Sequence, residues 1–546
     1  MNVPRNLALA VLFVILAAVF SNASAIYIAQ NTAGGNSGAD CADAHSAAWF
    51  NSSANWGSGN GQIGPGTTAH LCGTFTGTAG ATMLTVQGSG ASGNPVIVKF
   101  ETGAVLQAPY WGDNPFSVNA AAIVCTSGKS WITIDGGANG VIQNTGNGTG
   151  LANQHASAGI DLNACSHVEI KNITIKSLYV HKQDDGGGGN VVDIFTQDSD
   201  FVSIHDSTFT DAYQNINIGY SNAHSITNFN VYNNTIDHGC HFMQVGDSNN
   251  NSTASGINIY SNTLGPHQTE WTQAGAACHF DGIFMNAANS GSQLVSSAIF
   301  NNLVQSDMCN ATTRDSNFNC SGLIYFAGSF NLIGVFNNVV VVTGVDSGYE
   351  ALLLARPIST GQLTNFNIVN NTFIGNDSNQ SCDCAGIKMN GANSGWVVEN
   401  NIWKGVNPNT IYLNEQSTTT FRNIFGTSIK SNNYFDIGSN GDDYDNSQHY
   451  NTFTAWQTAA PNPNNFPGYD GNGIVGDPKL DSTYKIQSGS AAIGLATNLT
   501  SLCTGSLAPL CTDKAGVVRP QTGAWDAGAF QYSSNNPPTG LQALVQ

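Results

Sequence analysis

The sequence predicts an all-β chain wound into a parallel β-helix of about ten or more coils with capped ends, and three observations predict it. The first is composition. At 546 residues the chain is too long for one compact core, charged residues are only 9%, Gly reaches 61, and the long Glu, Lys, Leu and Ala runs that build helices are missing. The second is a six-residue phrase, an apolar alternation closed in most copies by a polar pair, that returns ten times. The third is a further apolar alternation after most copies, with no helical crossover between them.

From the N-terminus, Arg5 precedes the apolar run from Leu7 to Phe20, and Ala23-Ser24-Ala25 supplies a small-x-small cleavage site. Residues 1–25 therefore read as an export signal, too short for a membrane span, and a secreted mature protein is expected. Residues 26–433 hold the N-terminal cap region and the helix, 434–535 its C-terminal end and cap, and 536–546 a linker-like tail. The copies are WITIDG (131–136), VEIKNI (168–173), VSIHDS (202–207), FNVYNN (229–234), INIYSN (257–262), SAIFNN (297–302), IGVFNN (333–338), FNIVNN (366–371), WVVENN (396–401) and SIKSNN (428–433). Their fifth positions lie 27 to 40 residues apart, a solenoid period with loops of unequal length. Asn tolerates left-handed backbone angles and bonds locally, so the doubled Asn is a turn whose stacked copies can form an amide ladder.

Second strands follow at GIDLN (159–163), VVDIF (191–195), NINIG (215–219), FMQVG (242–246), GIFMN (282–286), GIKMN (386–390) and TIYLN (410–414). Aligning them puts Ile160, Val192, Ile216, Met243, Ile283, Ile387 and Ile411 inside. Asp161, Asp193, Asn217, Gln244, Phe284, Lys388 and Tyr412 then face out. Twelve cysteines in an exported chain permit disulfides, with Cys41–Cys72, Cys309–Cys320 and Cys503–Cys511 as plausible pairs. The spacing Cys382-Asp383-Cys384 is poor for zinc. A net charge of −19 and a pI near 4.7 speak against nucleic acid and anionic membrane as partners.

On these repeats the chain resembles the right-handed parallel β-helix superfamily of pectate-lyase-like secreted proteins, over about Tyr27 to Asn433. A second resemblance lies in GDPKLDSTYKIQSGSAAIGLA (476–496) and TDKAGVVRPQTGAWDAGAFQY (512–532), which look like the C-terminal segment of many bacterial secreted β-helix proteins. There Asp513, Arg519 and Asp526 are expected to tie a cap together. The superfamily resemblance implies an extended polysaccharide bound in a groove along one parallel sheet, by a monomer.

The outward row, with its carboxylates, amides and aromatics, suits sugar recognition. Seven of the twelve histidines fall between 181 and 279. His241, His279 and Asp281 adjoin second strands, and with Asp193 they offer the carboxylates and imidazoles of acid–base chemistry. Tyr220 and Trp271 are the expected flanking aromatics. The rival chemistry, β-elimination on a polyuronate, needs a base and a cation for the substrate carboxylate, and Arg356 and Lys388 are the candidates. Asp184 and Asp185 carry the hard oxygens that calcium takes. The polygalacturonase-type and alginate-epimerase-type motifs are absent. A non-catalytic surface or adhesion scaffold is the alternative reading, because Asn-rich turns and low charge fit it equally.

Overall fold

In eight of the ten copies of the phrase the fifth residue takes the left-handed conformation, and from Asn234 onward the residue after the turn points inward. Asp206, Asn233, Ser261, Asn301, Asn337, Asn370 and Asn400 have φ between 50° and 63°, a region Asn and Asp enter more readily than most residues. The computed structural model describes residues 24–112, 121–126, 128–181, 191–268, 271, 280–307, 321–343, 350–358, 361–375, 385–390, 393–406, 409–414, 429–435, 453–457 and 470–533. Asn234, Asn262, Asn302, Asn338, Asn371, Asn401 and Asn432 form a fully bonded ladder along the interior. Asn302 is representative. Its backbone N–H and side-chain amide both donate to Asn338 Oδ1 at 3.0 Å, and the amide also donates to the Ile259 carbonyl at 2.8 Å. Its own Oδ1 accepts from the backbone and side chain of Asn262, each at 3.0 Å.

The last copy is one residue out of the expected register. Val398 pairs with Ile429 and Glu399 with Lys430, so Ser431 takes the left-handed turn and Asn432, rather than Asn433, continues the ladder. The ladder ends on Asp470, whose Oδ2 accepts from the Asn432 amide and the Tyr434 hydroxyl, both at 2.8 Å. Burial pushes the Asp470 carboxyl up to about 6 despite these bonds.

Each coil carries three strands, not two, and pairing between successive coils is parallel. One column passes through Ser157–Asn163, Val191–Gln197, Thr208–Tyr220, Thr235–Asp247, Asp281–Ala287, Gly322–Gly328, Ala351–Arg356, Ala385–Asn390 and Asn409–Asn414. The second holds the repeated phrase, as in Ile226–Tyr232, Thr253–Tyr260 and Gln293–Phe300. The third is short, as in Leu303–Ser306, Val339–Val342 and Thr372–Ile374, and follows the Asn turn directly. All three turn apolar residues into one continuous core, in which Ile160, Ile194, Ile216, Met243, Ile283 and Ile387 are fully buried. The chain is thus a parallel β-helix.

Disulfides join Cys41 to Cys72 and Cys503 to Cys511, as expected. A third, Cys125 to Cys165, joins neighbouring coils and was not anticipated. Cys309, Cys320, Cys382 and Cys384 lie outside the described residues, as do Asp184 and Asp185. The first described strand is Ala25–Ala29, at the expected cleavage point. No helix among the described residues is long and apolar enough to cross a membrane.

The C-terminal region does two things. Helix Phe453–Gln457 rests on the last coil, with Phe453 4.6 Å from the Tyr434 ring. Residues 476–533 instead run back along the flank of the solenoid, where Trp525, Leu510 and Ile486 cluster with Phe300, Phe336, Val369 and Ile402. Arg519, fully buried, donates to Asn337 Oδ1 at 2.9 Å and to the Gly528 carbonyl. Burial lowers its guanidinium to about 10 against the opposing pull of Asp513 and Asp526. The three charged residues therefore fasten a lateral strap, not the end cap expected of them. Replacing Arg519 with Met should cost about 3 kcal/mol, because two buried carboxylates lose their counter-charge. Unchanged urea unfolding of that variant would show the strap to be held by its apolar contacts instead.

Candidate active site

The outer row of the first column is set by strand register. It runs from Val124 through Asp161, Phe195, Asn217, Gln244, Phe284, Tyr325, Leu354 and Lys388 to Tyr412. Most of the expected members are present. Asp193 is not, because Ile194 rather than Val192 stacks on Ile160 and Ile216, which puts Phe195 in the row. Asp193 is fully buried, accepting from Asn215 Nδ2 at 2.8 Å, and burial raises its carboxyl well above the usual range. Tyr220 also leaves the groove. It is in phase with Ile216 and Ile218, packs in the core, and donates its hydroxyl to the Asn286 carbonyl at 3.0 Å. Trp271 is buried too, its ring centre 4.3 Å from that of His181 and its Nε1 donating to the His238 carbonyl at 3.3 Å. His279 and the side chain of Tyr412 lie outside the described residues.

A second outer row lies three residues back along the strands, across a corner. There His241 pairs in register with Asp281, and His241 Nδ1 stands 3.4 Å from Asp281 Oδ2, both side chains nearly fully buried. Gly322 N–H donates to Asp281 Oδ1 at 3.3 Å. The Tyr213 ring meets His241 edge-on at 5.8 Å, while Phe284 lies nearly parallel to it at 5.7 Å and stacks in turn on Tyr325 at 5.0 Å. Burial, then the Asp281 charge, raises the Tyr213 hydroxyl pKa. Burial also raises that of Tyr325, opposed by the charge and hydrogen bond of Arg356.

Arg356 and Lys388 converge on one carboxylate that sequence reasoning missed. Lys388 Nζ is 2.9 Å from Glu350 Oε1, and Arg356 Nη2 pairs with the same oxygen. Glu350 stands six residues before Arg356, just ahead of the strand Ala351–Arg356, so only the turn into that strand could have marked it. The structure thus brings Asp281, His241, Phe284, Tyr325, Arg356, Glu350 and Lys388 onto one face. This face is not the open, solvated surface expected of outward residues. Phe284, Tyr325, Leu354, Ala351 and Ala385 form a second apolar layer on it, and Lys388 is only 6% exposed.

Beside this layer Asn217 Nδ2 donates to Gln214 Oε1 at 2.6 Å, and Gln214 donates to Gln244. Asn217 and Gln244 line a cleft of about 320 Å³ together with Asn163, Phe195, Gln197, Asp247, Ser248 and Asn286. Its amides and single aromatic fit a polar, ring-shaped ligand.

Asp161, next to Phe195 in the row, is fully buried and neither carboxyl oxygen has a hydrogen-bond partner among the described residues. Burial pushes it up to about 7. Between its ordinary value and 7 the folded chain holds a proton that the unfolded chain has released, so stability falls as pH rises through that window and then levels off. Asp161→Asn should abolish this dependence. At pH 8 the variant should be more stable than wild type by up to ~4 kcal/mol, at 1.36 kcal/mol per pKa unit, and at pH 3 equal to it. Denaturant midpoints that coincide at pH 8 would contradict the buried, unpaired state.

No protein-family model matches the chain, and neither does any curated protein. Among solved structures, pectate lyase Pel9A is similar with 13% identity over 94% of this chain and 98% of its own, at a TM-score of 0.38. XylC, solved in complex with xylose, has 9% identity over 93% of this chain and 98% of its own, at 0.42. PfbA, a surface adhesin of Streptococcus pneumoniae, has 12% identity over 68% of this chain and 82% of its own, at 0.35. The strand pairing establishes independently that this chain, like the superfamily its repeats resemble, is a parallel β-helix.

Proposed function

We propose that the chain is a secreted carbohydrate-active enzyme that cleaves an extracellular uronate-containing polysaccharide by β-elimination. The observation that carries this reading is the alignment, on one face, of the His241–Asp281 pair with Tyr325 and the Arg356–Glu350–Lys388 cluster. β-Elimination needs a base for the proton alpha to the carboxyl group, an acid for the leaving oxygen and a cation for the enolate charge. His241, oriented by Asp281, is the base. Tyr325, kept protonated by burial, is the acid that returns a proton to the glycosidic oxygen as the carbon–oxygen bond breaks. Arg356 and Lys388, held in place by Glu350, share their charge with the substrate carboxylate. The amides Asn217 and Gln244 hold neighbouring sugars in the cleft.

Hydrolysis by two carboxyl groups fits less well. Asp193, the carboxylate expected to act with Asp281, is fully buried, and its strand stands three coils from that of Asp281 in the register, about 14 Å at the usual strand spacing, beyond the ~5 to 9.5 Å such pairs span. One observation favours the non-catalytic scaffold: Asp281, His241, Tyr325 and Lys388 are all under 9% exposed, as purely structural groups would be. A panel of polysaccharides separates these readings when both reducing ends and the ultraviolet absorbance of unsaturated uronate are followed, with and without a chelator. Both signals are expected to rise together. Reducing ends without the absorbance would mean hydrolysis, and binding without either product would leave the scaffold.

A further inference from the structure

Asp237, His238 and His267 meet at a corner of the solenoid, with Asp237 and His238 four and three residues ahead of His241 along its strand. Asp237 and His238 belong to the strand Thr235–Asp247, and His267 follows Thr263–Leu264, the strand stacked on Thr235 and Ile236 in the next coil. Two backbone N–H groups, of His238 at 2.9 Å and of His267 at 2.7 Å, donate to Asp237 Oδ1 and fix the carboxylate. Oδ2 is thereby turned toward both imidazoles, 2.7 Å from His267 Nδ1 and 3.8 Å from His238 Nε2. The two rings lie parallel with centres 4.7 Å apart, and the three ligand atoms are all within 4.8 Å of one another.

Ligands held ~2.0 to 2.2 Å from a tetrahedral ion stand roughly 3.4 Å from each other, and the distances at this corner bracket that value. His238 has a φ of 53°, in the left-handed region, as does Asp211 at the matching position of the preceding coil. We propose that Asp237, His238 and His267 bind a first-row divalent transition metal of the zinc class. Two imidazoles and one carboxylate are the donors zinc takes, whereas calcium and magnesium ask for oxygen alone. The histidines are about half exposed, so an ion can reach the site and water can complete its coordination. Because the ligands come from consecutive coils, the bound ion would staple them.

The test uses the full, tag-free chain stripped with a chelator and titrated calorimetrically with zinc chloride, with cobalt(II) absorbance as a second probe. One stoichiometric site is expected, with a tetrahedral cobalt spectrum and a zinc-dependent rise in melting temperature. Asp237→Asn, His267→Ala and His238→Asn should each weaken zinc binding at least tenfold and remove the thermal shift. Asn suits the left-handed backbone at 238 and keeps the turn. Melting of each variant in chelator confirms that it is folded. A wild-type chain without a stoichiometric zinc site, variants that bind zinc as tightly as wild type, or tighter binding of calcium chloride would each overturn the proposal.

Discussion

Asn302→Ala is expected to destabilise the chain by about 5 kcal/mol, more than most core truncations of similar size. Four hydrogen bonds disappear, those to Asn338 and Ile259 and the two received from Asn262. Each contributes about 1 kcal/mol net, and the buried backbone N–H of Asn262 is left without its acceptor, which adds ~1 to 3 kcal/mol. Asn301→Gly provides the contrast. Asn301 occupies the left-handed turn, which glycine adopts without cost, so its loss should change stability by under ~1 kcal/mol. Chemical denaturation of the two variants measures the difference. Equal midpoints would mean that the ladder contributes nothing beyond turn geometry.

His241→Gln should lower turnover about a thousandfold, within the range for loss of a general base, and leave the melting temperature near that of wild type. Arg356→Ala should do comparable damage through lost charge stabilisation, expressed mainly in kcat. On the proposed mechanism Asp281 acts through His241, so Asp281→Asn should move the acidic limb of the pH–rate profile as well as reduce its height. A merely structural Asp281 would lower the amount of folded enzyme and leave the profile in place. Lys388→Ala tests whether one cation suffices. If all four variants turned over substrate at the wild-type rate, chemistry on this face would be ruled out.

The repeat was legible because each coil must satisfy the same backbone demand at the same point. A left-handed turn followed by an inward amide leaves an apolar alternation and an Asn pair in the string. What the string did not separate was the division of labour within the pair, since Asn suits both positions. The slip at 428–433 arose there, where Ser431 takes the turn and two asparagines follow.

Asp193 was misplaced for a related reason. Val192 and Ile194 have the same alternation phase, so sliding VVDIF by two residues leaves the apolar pattern intact, and only hydrogen-bonded register decides. Tyr220 needed no structure to place, because its spacing from Ile216 already put it inside. The Cys125–Cys165 bridge was also within reach, since its separation of 40 residues matches one coil. The meeting of Glu350 with Arg356 and Lys388, and the contacts of residues 476–533 with coils up to 213 positions earlier, carry no local signature.

Those contacts change how the solenoid responds to a load. Coils that touch only their neighbours can be peeled off one at a time, each detachment requiring little more than one interface. Residues 476–533 lie across that series. Lys514 reaches the Asn301 carbonyl, Arg519 reaches Asn337, the Asp526 carbonyl accepts from Asn370, Thr497 bonds Asn400, and its hydroxyl bonds Ser431. A pull along the axis would therefore strain these attachments together, in shear, as in a batten nailed across planks.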